Sequence, residues 1–161
     1  MNFGAIVGTI IGGAAGATIG VGYEFIKEEK RLDKMEDNLK KFEAFYRLLN
    51  TWVEMKQEGK NLAEYFEYNN INTIAIYGMK ELGERLVKEL ENSKIEIKYI
   101  IDQNADQIET NFKKVKPDDE LEPVDAIVVT AIYYYQDIEE KLSKKVGYEI
   151  ISLEDAVYGI I

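Results

Sequence analysis

One run constrains this chain more than any other: Thr73-Ile-Ala-Ile-Tyr-Gly-Met-Lys-Glu-Leu-Gly-Glu-Arg-Leu-Val-Lys-Glu-Leu-Glu91. Four consecutive apolar residues, Ile74 to Tyr77, stop at Gly78, the pattern of a strand covered on both faces. Beyond the turn, Leu82, Leu86, Val87 and Leu90 recur at helical spacing, with Glu84, Arg85, Lys88, Glu89 and Glu91 on the other side. Strand, glycine turn and amphipathic helix together read as the opening unit expected of a nucleotide-binding α/β sheet.

The remaining C-terminal sequence continues that pattern. Ile95–Ile101 reads as a second strand ending at Asp102, and a short strand is expected around Phe112–Val115 in an otherwise irregular 105–123. Ala126–Thr130 reads as a buried strand, Asp137–Lys145 as a helix, Tyr148–Ser152 as a last strand and Leu153–Tyr158 as a last helix. Strands alternating with short helices predict a small, doubly wound parallel sheet, with any ligand at the carboxyl ends of its strands.

The dinucleotide fingerprint asks for G-x-G-x-x-G and an acidic residue about 20 positions on. Here the run is Gly78-Met79-Lys80-Glu81-Leu82-Gly83, and Asp102 follows 24 residues after Gly78. The outer glycines and the acid match. Lys80 stands at the central position, where glycine lets the backbone approach a pyrophosphate. Its side chain crowds a phosphate unless it folds outward, where the ammonium would meet the phosphate instead. The competing reading is that Gly78 and Gly83 only permit a tight turn and close helix packing, with Asp102 capping a strand end.

A second constraint lies at the N-terminus. Gly4, Gly8, Gly12, Gly16 and Gly20 repeat every four residues inside a run, Met1 to Tyr23, that carries no charged side chain. In a water-exposed helix each interior glycine is unfavourable by about 0.5–1 kcal/mol against alanine. In lipid the same spacing gives a smooth face along which another helix packs closely. Phe3 to Tyr23 is 21 residues, roughly 32 Å of helix, which spans a hydrocarbon core. A cleaved signal peptide, a glycine-rich soluble tail and a surface-lying helix are the competing readings. The first lacks a basic lead-in and the last lacks a charged face. Because Lys27, Lys30, Arg31 and Lys34 all follow the run, the expected orientation is N-terminus outside and the rest cytoplasmic.

From Leu32 the apolar residues step by three and four: Leu32, Met35, Leu39, Phe42, Tyr46, Leu49 and Val53. This is an a/d seam with no proline or glycine before Gly59. Its first half is flanked by polar residues and reads as an oligomerising coiled-coil stalk through Leu32, Met35, Leu39 and Phe42. In the second half Phe45, Leu48 and Trp52 add a neighbouring stripe, expected to dock on the globular domain. An amphipathic helix packing wholly on its own domain is the alternative. Gln57–Lys60 ends the helix, and Asn61 with Glu64 has capping-box spacing for a short helix, Leu62–Tyr68. The expected organisation is a transmembrane glycine zipper (1–23), a helical stalk (24–60) and the α/β domain (61–161).

Charge narrows the partners. Residues 24–60 balance nine basic against nine acidic side chains, whereas 61–161 holds 11 basic and 21 acidic. So acidic a domain repels a phosphate backbone, and no nucleic-acid partner is expected. With neither cysteine nor histidine, thiol chemistry, disulfides, histidine acid–base catalysis and the usual zinc sites are excluded. The only Tyr-x-x-x-Lys is Tyr23–Lys27, and neither a P-loop nor a methyltransferase glycine turn occurs. Asp118-Asp119-Glu120 with Glu122 reads as an exposed acidic loop rather than a metal site. Tyr133-Tyr134-Tyr135 either packs the next helix or offers rings to a base or sugar.

Several runs carry a family resemblance: Ile74–Leu86, Ile100–Ala105, Val124–Thr130 and Ile150–Asp155, preceded by Leu48–Phe66. Together they resemble the Rossmann-like domains of bacterial polysaccharide-biosynthesis proteins, over roughly residues 45–161. The resemblance implies a Rossmann-like fold and a cofactor site at Gly78, Met79, Lys80, Glu81, Leu82 and Gly83. In that group the turn usually reads G-x-G, so Lys80 is a departure. It also implies that Asp102 and Asn104 contact a ribose or base and that Thr130 reaches the ligand from the third strand. The ligand classes it implies are NAD(P) or a nucleotide-sugar, with polysaccharide-biosynthesis proteins as partners. The leading expectation is a membrane-anchored, homo-oligomeric and non-catalytic binding accessory. An NAD(P)- or nucleotide-sugar-dependent oxidoreductase or epimerase, and a ligand-free scaffold, are the alternatives.

Overall fold

A computed structural model describes the backbone of residues 3–160 and side chains from Ile26 to Ile160. The element order is α1 (Phe3–Gln57), α2 (Leu62–Tyr68), β1 (Thr73–Tyr77), α3 (Glu81–Leu90), β2 (Glu96–Ile101), β3 (Lys113–Val115), β4 (Ala126–Val129), α4 (Tyr135–Leu142), β5 (Glu149–Ser152) and α5 (Leu153–Tyr158). Among the described residues no helix is long and apolar enough to cross a membrane. The side chains of the uncharged run 1–23, and with them the zipper of Gly4, Gly8, Gly12, Gly16 and Gly20, lie outside the described residues.

The chain forms two compact units, residues 1–43 and 44–161. In the first, α1 carries its seam in the open: Leu32, Met35, Leu39 and Phe42 are 59% to 70% exposed. The second unit begins upstream of residue 61 for a simple reason. Leu48, Trp52 and Met55, on the last turns of α1, are buried in its core, with Phe45 and Leu49 packed against them. Gly59, at φ +80, then reverses the chain, a conformation that side-chain-bearing residues rarely adopt.

All five strands are parallel, in the order β3-β2-β1-β4-β5. Side chains alternate between faces along each strand. Ile74, Ile76, Ile100, Val128 and Ile151 meet α1, α2, α3 and α5 on one face. Ala75, Tyr77, Ile101, Ile127 and Val129 meet α4 through Ile138 and Leu142 on the other. Helices cover both faces, which is why β1 and β4 read as unbroken apolar runs rather than alternating ones. The order reverses between β1 and β4, so the crevice at their carboxyl ends is where an open α/β sheet offers a ligand site.

One polar feature differs from what the spacing implies, and a second carries no local signal. Helix α2 starts where expected, but Asn61 makes no side-chain cap. Its amide instead reaches the Glu64 carboxylate. The Leu62 N–H is satisfied by the Glu89 carboxylate of α3 at 3.2 Å, and the same carboxylate pairs with Lys56 at 2.8 Å. At the amino ends of the strands, Asp125 ties β4 to β1. One of its oxygens, Oδ2, accepts from the Asn72 N–H (2.9 Å), the Thr73 N–H (2.8 Å) and the Thr73 hydroxyl (2.9 Å).

Those donors favour the ionised carboxylate and hold the Asp125 pKa below the usual aspartate range. Its contribution is therefore complete above the unfolded-state pKa, about 3.9, and is lost as pH falls through the lower folded value. Asp125→Asn is expected to melt below the wild type at neutral pH, with the gap narrowing below about pH 4. Thermal melts of both proteins across acid pH check this. A gap independent of pH would show that charge at Asp125 is irrelevant.

Candidate functional site

The crevice is built on the turn after β1. Gly78 adopts φ +93, and its N–H donates to the Ile101 carbonyl of β2 at 2.8 Å. On the β4 side, the Thr130 hydroxyl donates to the Gly78 carbonyl at 2.7 Å, with the Tyr77 carbonyl at 3.1 Å. A Cβ at Gly78 would come within 2.9 Å of that hydroxyl. At Gly83 it would come within 2.3 Å of the Gly78 carbonyl oxygen. Glycine at both ends of the run is thus required by close approach, and at Gly78 also by backbone conformation.

Lys80 is different. Its φ of −90 and ψ of −160 are extended backbone open to any residue, and its side chain is exposed. The turn folds without a central glycine, and the ammonium stands in solvent with no partner among the described residues.

Asp102, at the end of β2, faces back toward the same turn. Its Oδ2 accepts from the Met79 N–H at 3.0 Å, and its Oδ1 from the Asn104 N–H at 2.8 Å. The acid therefore already organises the loop that it flanks. Asn104 is exposed and opens the 3-10 turn Ala105–Gln107 without a side-chain cap. Thr130 is buried, its hydroxyl committed to the β1 carbonyls. Leu82 is buried in the core, so its backbone alone is on offer, and Met79 packs partly against that core.

The first N–H groups of α3 point out of the helix end without intrahelical partners, the usual feature that attracts an anion. Glu81 and Glu84 occupy the same first turn and already complement the helix dipole. With Asp102 they outnumber Lys80 three to one, so the crevice rim is locally acidic. A phosphate here would rely on backbone donors and on Lys80.

The structure thus gathers Gly78, Met79, Gly83, Asp102 and Thr130 into one hydrogen-bonded and packed unit, with Lys80, Glu81 and Asn104 at its exposed margin. One neighbour reads in the sequence only as the end of a strand. Tyr77, at the end of β1, is nearly buried, and burial is the main cause of its raised pKa. A hydrogen bond with Gln103 works the other way, and the nearby carboxylates of Asp102 and Asp118 add to the rise. The phenol stays protonated at neutral pH and offers a donor.

The tyrosine run divides. Tyr135 packs in the second core and donates to the Ile150 carbonyl at 2.9 Å, and burial and the neighbouring acid Glu139 push its pKa up to about 12. Tyr133 and Tyr134 are partly exposed and meet edge-to-face at 5.4 Å. In the acidic loop, the Glu122 carboxylate pairs with Lys113 and Asp119 accepts from the Lys116 N–H. A cleft of about 1110 Å³ opens elsewhere, between the end of α3 and the loop 106–112. It flanks the amino half of β2, away from the strand ends. No family model, no curated protein and no solved structure matches this chain.

Proposed function

We propose that this protein is a self-associating, membrane-held carrier of a Rossmann-like domain, acting as a non-catalytic accessory of surface-polysaccharide assembly. The observation that carries the reading is the seam of α1. Leu32, Met35, Leu39 and Phe42 lie exposed at a/d spacing on the helix that also holds the uncharged glycine ladder. A stripe of large apolar side chains in water favours burial against another helix. The ladder supplies a membrane anchor with the N-terminus outside, and the basic residues after it keep the α/β domain cytoplasmic.

In this reading the domain binds a nucleotide or nucleotide-sugar, NAD(P) included. Its phosphate meets the first N–H groups of α3 and the Lys80 ammonium, while Asp102 and Asn104 border the sugar. The strand order and the two close-packed glycines favour this placement. The polysaccharide context comes from the sequence resemblance alone. A ligand-free scaffold is favoured by a different observation: Asp102 and Thr130 already spend their hydrogen bonds inside the protein.

One experiment on the full chain separates these readings. The protein is expected in the membrane pellet and in detergent extracts, and recovery in the aqueous supernatant would remove the anchor. The extracted protein is then melted with NAD, NADP, UDP-sugars or coenzyme A. A ligand at about 100 times its Kd stabilises by about 2.7 kcal/mol, a readable rise in Tm. A flat panel replaces the nucleotide reading with the scaffold.

A further inference from the structure

The seam does not stop where the second compact unit begins. Tyr46 and Val53, the next a positions, are 63% and 53% exposed. Of the residues that dock α1 onto its own sheet, Phe45, Leu48, Trp52 and Met55 fall at the g and c positions of the same heptad frame, and Leu49, at d, is shared between docking and seam. Docking and seam are adjoining stripes of one helix that meet at Leu49. Within residues 44–161, then, an apolar stripe stays uncovered although the helix is already packed.

Helix α3 flanks that stripe on its g side. Between them lies a groove of about 470 Å³ lined by Leu49, Trp52, Val53, Lys56, Arg85 and Lys88. Lys56 is held by Glu89 at 2.8 Å. Arg85 and Lys88 are exposed, and neither makes an ion pair among the described residues. Glu54, at the b position beside Val53, is also exposed and without an ion-pair partner among them.

Charge on the seam margins selects an orientation. In a parallel pair each g residue faces the e residue five places on in the other helix, which sets Arg31 against Glu36. In an antiparallel pair e faces e, and because the e positions carry Glu36, Glu43, Asn50 and Gln57, no register there gives either acid a basic partner. The g edge of one parallel helix therefore meets the e and b edge of its partner. At the level of the groove that edge carries Asn50, Glu54 and Gln57.

We infer that the α1–α3 groove receives α1 of a second copy of this chain, with the second copy's Glu54 set against Arg85 and Lys88. The inference rests on the self-association proposed above and adds a second contact to it. Helix α3 becomes a charged shelf that fixes the register of the paired helices. The groove floor, Trp52 and Leu49, is covered by the incoming helix, and two unpaired cations gain a carboxylate in each direction, as two-fold symmetry requires.

The chain has no cysteine, so single introduced cysteines report cleanly. Two differently tagged full-length copies, one Lys88→Cys and one Glu54→Cys, are co-expressed, extracted in detergent and treated with a short bis-maleimide. Val53→Cys in both copies reports the seam, and Lys144→Cys with Glu54→Cys reports random collision. A mixed dimer through positions 54 and 88, in several-fold excess over that through 54 and 144, is the expected result. If position 53 bridges but 54 with 88 stays at the collision level, the shelf is wrong and the assembly survives. If position 53 fails to bridge as well, the assembly falls and the shelf with it.

Discussion

Gly83→Ala is expected to destabilise the 44–161 unit by about 3 kcal/mol, the upper part of the usual overpacking range. The added Cβ would sit 2.3 Å from the Gly78 carbonyl oxygen and 3.2 Å from its carbon, and both are backbone. No rotamer relieves that. Either the carbonyl moves, losing its 2.7 Å bond from the Thr130 hydroxyl, or α3 lifts off the sheet and uncovers Leu82 and Leu86. Gly147→Ala is the natural control, because a Cβ there meets nothing within 4 Å, and its effect should stay within about 0.5 kcal/mol. Urea unfolding of the two variants measures the difference. Equal midpoints would show that α3 tolerates displacement and that the turn is looser than its contacts imply.

The second large effect falls on assembly rather than on folding. Leu39→Asp with Phe42→Asp is expected to convert the detergent-extracted protein to single chains that still unfold cooperatively, with a midpoint lowered only by the loss of pairing and no longer dependent on protein concentration. Both side chains are exposed in one copy, at 67% and 70%, so folding of that copy loses no core contact. In a pair, four such side chains leave water, worth on the order of 6 kcal/mol at about 1.5 kcal/mol each. That is roughly four orders of magnitude in dissociation constant. Mass by light scattering and a melt of the same sample provide the two readouts. An unchanged mass would assign assembly to some other face. Loss of the cooperative transition in the single chains would show that the seam serves the fold.

These two substitutions also mark how far periodicity reached. The alternation of Ile74, Ala75, Ile76 and Tyr77 and the spacing of Leu82, Leu86 and Leu90 describe local backbone geometry, and the elements follow them closely. So do the boundaries at Gly59 and Leu62. The capping of α2 differs in kind from its local spacing, because its donor is satisfied by Glu89, 27 residues away in sequence. The clasp of Asp125 on Asn72 and Thr73 bridges more than 50 residues and leaves no local pattern. Asp102 was legible as the acid after the second strand. That its carboxylate turns back onto Met79 and Asn104 depends on where β2 ends relative to the β1 turn, which no spacing reports.

By itself the sequence determined the α/β class, the positions of the strands, the need for glycine around the turn and the existence of an a/d seam. All of these are properties of contiguous residues, whose period and steric limits act along the chain. Only the tertiary structure decided that Gly83 abuts a carbonyl, that Thr130 and Asp102 close the crevice from either side, and that Tyr46 and Val53 stay exposed while Leu48, Trp52 and Met55 are buried. Those facts arise where elements distant in sequence meet, because contact distance and hydrogen-bond direction are fixed by packing and not by composition.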